Sequence, residues 1–512
     1  MEPDRRIRRV AIVGGGIAGW TAAVLLGKKL GGQCSIHVVE LPEPVYPGLA
    51  EATQPTLLEL LKYLGIDQND FVDKTQSTYS LGARYVDWAA EGQGFWHPFG
   101  GLGALIERRP FYHFWHKARS LGLTPRLEAC SQEVSMAMGN RFIFPTNTLG
   151  IAPHLRYALH VDVGVMGRYL RTLAERAGVI RLERKVVSAT RREDGFLDEL
   201  QFEDGGKLRA DLYIDCSGPR AQLIGEMLDS PHESWQQWLP CDRMVHAPGP
   251  LEEMRPPYVR IAGRPLGWLR LIPLQQNLSH TLVYSSAHQT DEAALQELLA
   301  GIGTAPFMEP RRIEFTQGCR RKSWDKNVIA LGNAAGFLEP LAATDLHLVI
   351  NSLFNLLDHF PDKQFDPANI ASYNALNADE FERIRDFLIL HYSLSQRADS
   401  PFWQQSGKTA LPASLAHRID LYRATGKIIM QRPEVFSDLD WFWIFEGSGV
   451  VPRDYDPLVD TIDFEQVKRL MTGFTQKVAA DSAAAPLHDS FFAQANSKLA
   501  NARKASVAQT AG

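Results

Sequence analysis

A glycine turn set between a strand-like run and a helical one constrains this chain more than any other feature. Residues 9–13 are a short β-branched run, Gly14-Gly15-Gly16-Ile17-Ala18-Gly19 follows, and residues 18–30 carry apolar side chains at helical spacing. A second apolar run, 35–40, ends on Glu40. This is the strand–turn–helix–strand order of a dinucleotide-binding unit, and each position has its own task. Gly14 permits the tight turn, Gly16 lets a pyrophosphate approach the backbone, and Gly19 lets helix and strand pack closely. The amides that open the helix, around Ile17 and Ala18, face the phosphates, and Glu40 accepts from the ribose hydroxyls. The unit alone leaves FAD and NAD both open. It occurs once, which argues against a flavoprotein with a second, nicotinamide-binding domain of its own.

Composition narrows the partners. The 512 residues are 45% hydrophobic and 22% charged with a net charge of -5, enough for a large core and without a basic block of the kind nucleic acid requires. Cys34, Cys130, Cys216, Cys241 and Cys319 are odd in number and contain no CxxC pair, so neither a disulfide framework nor a metal site is expected. With no signal peptide or apolar span visible, a cytoplasmic protein is expected, with no membrane partner.

Further along, a helix is expected over 53–64, started by Thr53, and strands over 81–88, 157–162, 179–182, 186–190 and 212–215. Residues 95–153, rich in Gly, Pro, His and aromatics, read as surface structure around a pocket. The segment 241–286 suits an antiparallel substrate sheet, 327–331 a buried strand, and the chain beyond 345 is mostly helical. The expected organisation is an α/β fold in three parts. A Rossmann-type FAD-binding module of the flavin monooxygenase kind, with inserted substrate-facing elements, spans 1–345. A mostly helical substrate-binding module spans 346–496, and 497–512 is a disordered tail.

Several segments, in order over nearly the whole chain, are similar to the flavin-dependent tryptophan halogenase family. They include Gly14 to Trp20, Gly48-Leu49-Ala50-Glu51-Ala52-Thr53-Gln54-Pro55 (like GxGEATxP), and His97-Pro98-Phe99-Gly100. Tyr157-Ala158-Leu159-His160-Val161-Asp162, the run from Asp211 to Gly218, the run from Gly332 to Leu341, and Gly447-Ser448-Gly449-Val450-Val451-Pro452 complete the set. The resemblance implies FAD, delivered reduced by a separate flavin reductase, an aromatic substrate that is a free small molecule or carrier-bound, and a possible homodimer. It carries cofactor contacts to Ala50, Glu51 and Ala52, to Asp215 and Gly218, and to Gly332, Asn333, Leu338 and Thr344. It carries substrate contacts to His97, Phe99 and Trp268. In the family, oxygen and halide are activated at the reduced flavin, and hypohalous acid passes to a lysine beside the aromatic substrate.

This sequence departs from the family at the positions of that last step. Ser80, in Tyr79-Ser80-Leu81-Gly82, stands where the lysine belongs, and a hydroxyl is neither a cation nor an amine. Ala342, after Glu339-Pro340-Leu341, removes the glutamate that accepts the ring proton. Asp345 replaces a glycine whose backbone meets the halide, and an anion there repels it. Arg270 replaces the second Trp of a WxWxIP signature.

The leading expectation is therefore an FADH2- and oxygen-using monooxygenase or oxidase on an aromatic, indole-like substrate, with the halide step omitted. Arg270 would bind a substrate anion, Asp345 or His347 would act as acid or base, and Ser80 would mark the altered centre. Bland alternatives stay open: a solvated strand residue for Arg270, a helix cap for Asp345, a core histidine for His347, and core packing for Phe111, Tyr112, Phe114, Trp115, Trp441 and Trp443. Two other classes also stay open. One is a halogenase with relocated catalytic groups, for example Lys74; the other is a non-catalytic flavin-binding protein.

Overall fold

In a computed structural model that describes residues 4–41, 48–123, 126–145, 155–430 and 432–492, the chain forms two compact units, each assembled from three stretches. The first comprises Met1–Thr75, Val161–Asp242 and Glu314–Arg385; the second comprises Gln76–His160, Arg243–Ile313 and Asp386–Gly512. A boundary at 345/346 falls inside the last stretch of the first unit. The expected tail at 497–512 lies outside the described residues.

The first unit is built on a mostly parallel six-stranded sheet in the order Trp324–Asp325, Val328–Ala330, Leu212–Asp215, Arg9–Val13, Ser35–Glu40, Ile180–Glu183. Its central strands are continuous apolar runs, as a sheet covered on both faces requires. Ala11, Val13, Val39, Tyr213, Val328 and Ala330 share one buried cluster with Leu197, Leu200 and Phe202. The helix Ile17–Leu30 crosses from Arg9–Val13 to Ser35–Glu40 and buries nine consecutive residues, Gly19 to Gly27.

The second unit carries the antiparallel sheet, in the order Arg311–Glu314, Arg243–Gly249, Leu278–Tyr284, Gly267–Pro273, Val259–Arg264, Gly82–Val86, Gly94–Pro98. One pair, Val259–Arg264 with Gly82–Val86, is parallel. Successive side chains alternate between the faces. One face, with Val245, Ala247, Leu269, Leu271, Leu282 and Tyr284, packs on Ala294, Leu298 and Ile302 of the helix Asp291–Ile302. The register sends His246, Thr281, Arg270 and Trp268 to the other face.

Two expectations are corrected. The helix expected from Thr53 begins at Thr56 and runs to Leu64, because residues 50–52 are a strand and Gln54 donates its amide to the carbonyl of Ala342 at 2.7 Å. Within 95–153, the helix Phe111–Ser120 is buried along eight consecutive residues, from Phe111 to Ala118. Tyr112 stacks on Phe442 at 5.0 Å, so this aromatic cluster is core and not surface. The sequence is dense in polar side chains there, but they point into the helical part of the second unit.

Candidate functional site

The glycine turn forms a cradle. At Gly14, φ is +113°, and a Cβ there would lie 2.1 Å from the carbonyl oxygen of Cys216; at Gly19 it would lie 1.9 Å from the carbonyl oxygen of Gly14. At Gly16 a Cβ would meet nothing within 4 Å. The backbone is thus tightly closed on the protein side and open at the position expected to meet a pyrophosphate. No side chain caps the helix that starts at Ile17, so its first amides are left to an anion. Gly332, with φ at +60°, packs over Ala18, where a Cβ would come within 2.9 Å of the alanine methyl. A Cβ at Gly218 would likewise meet nothing within 4 Å, and Asn333 is exposed while Leu338 is buried. These residues fit a bound dinucleotide.

Glu40 ends its strand over Gly15, taking a hydrogen bond from the Trp20 indole at 3.2 Å and an ion pair from Arg181. The arginine is a partner that the sequence pattern does not disclose, since it comes from the neighbouring strand Ile180–Glu183. Asp215 turns its carboxylate inward, accepting from the amides of Ser217 (3.0 Å), Leu223 (2.7 Å) and Ile224 (2.8 Å) and from the Ser217 hydroxyl (2.5 Å). It shapes the loop that carries Gly218. Ala50, Glu51 and Ala52 form a short strand. The segment before it is tied down where the Gly48 amide donates to Asp162 at 2.5 Å, the same aspartate that caps the helix Val163–Arg176.

The loop after Phe337 is held from below. Glu339, fully buried, accepts from the Gln317 side-chain amide at 3.2 Å, while its own backbone amide donates to Gln317 Oε1 at 3.0 Å. Ala342 is buried and Thr344 precedes the helix Asp345–Asp358, whose first residue is Asp345, where a carboxylate complements the helix dipole. His347, 6% exposed, joins three elements: its Nδ1 lies 3.2 Å from the Thr56 hydroxyl and its Nε2 lies 2.9 Å from Glu380. Neither nitrogen is open while both bonds are made.

In the second unit, His97, Trp268 and Arg270 are brought to one face of the antiparallel sheet. Trp268 is fully buried and its indole donates to the Tyr392 hydroxyl at 3.1 Å. His97 Nε2 pairs with Asp440 at 2.8 Å, and its ring lies 5.5 Å from Phe387. Phe99 is half-buried, its amide bonded to Leu81. Arg270 is 1% exposed, in register with Thr281 and, beyond it, His246, so it is not a solvated strand residue. Burial, and next the Arg270 charge, pushes the His246 imidazole down to about 3. Ser80, fully buried, donates to the Gly82 carbonyl at 3.3 Å. Lys74 is 58% exposed and ion-paired with Asp70 at 2.6 Å.

Fold and cradle together define an α/β protein with a Rossmann-type dinucleotide-binding unit. Residues 9–464 match the tryptophan halogenase family model. A curated relative, the tryptophan 7-halogenase RebH of Lentzea aerocolonigenes, is 30% identical over 488 residues, covering 88% of this chain and 91% of its own. Among solved structures, a flavin-dependent halogenase from Xanthomonas campestris is 35% identical with a TM-score of 0.92, covering 96% of this chain and 98% of its own. BrvH, a flavin-dependent halogenase from Brevundimonas sp. BAL3, is 37% identical with a TM-score of 0.91, covering 96% of this chain and all of its own. The chain belongs to the tryptophan halogenase family, and its cofactor is FAD.

Among the described residues, no helix is long and apolar enough to cross a membrane.

Proposed function

We propose that this protein is a flavin-dependent halogenase of an aromatic, indole-like substrate, working with reduced FAD delivered by a separate reductase. The observation that carries this reading is the likeness to two flavin-dependent halogenases along 96% of the chain, at 35% and 37% identity. It displaces the expectation of an oxygenase as the leading one. Reduced FAD supplies oxygen activation. The chain's own residues bind and orient: Gly14, Gly16 and Gly19 with the Ile17 helix take the pyrophosphate, and Glu40 takes the ribose. Trp268 and the His97–Asp440 pair line one face of the antiparallel sheet, with Arg270 buried on the same face. With serine at position 80 and alanine at position 342, the halogen and the proton are handled through other groups.

Those same two substitutions favour a second reading, oxygenation of the ring without halide. One experiment separates the two. With a flavin reductase, FAD, oxygen, bromide and a panel of indoles, mass spectrometry is expected to show brominated product. Hydroxylated product that forms equally without bromide transfers the assignment to the oxygenase reading, and hydrogen peroxide alone sinks both.

A further inference from the structure

In the second unit, the helix Ala413–Thr425, the loop after Gly447 and the end of the helix Pro367–Ser393 border a cleft of about 720 Å³. That volume lies in the range of pockets that hold small organic molecules. Asp420 and Arg423 line it from the helix Ala413–Thr425, and Arg453 lines it from the loop. The Arg453 amide donates to the Arg423 carbonyl at 2.8 Å, so the two arginines leave adjacent stretches of backbone. All three charged residues are exposed, and among the described residues none of their side chains makes an ion pair or a hydrogen bond. Arginines around them behave otherwise: Arg397 is paired with Asp399 at 2.6 Å and Arg418 with Glu434 at 3.0 Å. Asp420 stands three residues before Arg423, a spacing at which helical side chains can pair, yet these two do not.

The other polar groups of the cleft are used in building its wall. Ser393 Oγ donates to the Leu390 carbonyl at 3.2 Å, Ser395 Oγ to that of Trp88 at 2.8 Å, and the Gln396 side-chain amide to that of Ser448 at 3.3 Å. The backbone amides of Gly449 and Val450 are bonded to the carbonyls of Glu446 and Phe445, both at 3.0 Å. The charged donors left free are the two guanidinium groups, each a planar fork of five N–H groups with no acceptor capacity. A helix dipole accounts for Arg423, in the last turn of its helix, but not for Arg453 in the loop. One fork fills both oxygens of a carboxylate, whereas a phosphate monoester has three terminal oxygens and a charge of about −2, enough for two forks. The cleft is also larger than a bare phosphate ion, which leaves room for the esterified organic part.

We propose that this cleft is a binding site for a phosphate monoester, held by Arg423 and Arg453. It shares no residue with the glycine cradle or with the sheet face of His97 and Trp268, and it stands independently of the reaction assigned above.

Calorimetric titration of the full-length protein, saturated with FAD so that the glycine cradle is filled, tests this with glycerol 3-phosphate and succinate as probes. Glycerol 3-phosphate is expected to bind with a Kd below about 1 mM, and succinate more weakly. Arg423→Gln and Arg453→Gln are each expected to weaken the binding of glycerol 3-phosphate about 10-fold, and the double variant to abolish it. Asp420→Asn is expected to tighten it, because a like charge beside the phosphate is removed. Should an arginine variant not fold, the succinate comparison and Asp420→Asn decide, since both leave the two arginines in place. The proposal is overturned by no binding at that concentration, by succinate binding as tightly, or by a double variant that binds as well as the wild type. Weaker binding to Asp420→Asn, which would mark a cation on the ligand, overturns it too.

Discussion

Gly14 and Gly16 are two residues apart and tolerate a side chain very differently. At Gly14 the left-handed φ and the Cys216 carbonyl both oppose a Cβ, while at Gly16 the space is open. Gly14→Ala is therefore expected to lower the melting temperature of the flavin-free protein, the φ alone costing about 1–2 kcal/mol. Gly16→Val is expected to leave that temperature unchanged and to abolish the gain on adding FAD, which for the wild type at a hundredfold excess over Kd is about 2.7 kcal/mol. Thermal melts with and without FAD check both, and a Gly16→Val protein that still gains stability with FAD contradicts the assigned cradle. The glycine roles were legible beforehand because the whole unit is contiguous in sequence. The fate of Glu40 was not, since Arg181 reaches it from a strand distant in the chain.

The helix Asp438–Gly447 shows how one element serves both stability and a site. Asp440 closes a capping box, accepting from the Ser437 amide and hydroxyl, both at 2.7 Å, and with its other oxygen it pairs with His97. Ser437→Ala is expected to cost about 1 kcal/mol of stability with the KM for the aromatic substrate unchanged. Asp440→Ala loses the cap and the His97 partner together, so KM is expected to rise as well. Equal KM values in the two variants would mean that His97 does not meet the substrate. Trp441 to Phe445 are buried all round, which removes the amphipathic signal by which a sequence tells one helix face from another. Hence neither tryptophan's role could be read in advance, and the pairing of Asp440 with His97, 343 residues away, is purely tertiary.

Over the whole molecule, the pH dependence of stability carries a signature of buried carboxyls. Glu133, bonded to the Ser131 hydroxyl and the Arg156 amide, is raised by burial from the ordinary 4.5 to about 7. Glu446, beside Tyr422 and Arg119, is raised by burial to about 7 as well. A carboxyl whose folded-state pKa is raised favours folding fully below about 4.5, and that contribution is lost as pH climbs to about 7. For Glu133 the loss is on the order of 3 kcal/mol. Glu133→Gln mimics the neutral acid, so in denaturant melts the variant is expected to gain stability relative to the wild type between about pH 5 and pH 8. The same pH dependence in both proteins would mean that Glu133 is not neutral in the folded protein.

What the amino-acid order determined by itself is the nucleotide-binding unit and the family, because strand, turn, helix and motif are local patterns whose physical requirements are met within a few residues. Only the tertiary structure decided what faces what. Strand register sets Arg270 beside Thr281 and His246, three strands that meet through pairing and not through sequence proximity. It likewise sets His160 opposite Thr78. Burial, a sum over distant contacts, fixes protonation states that the same side chains would not have in an extended chain.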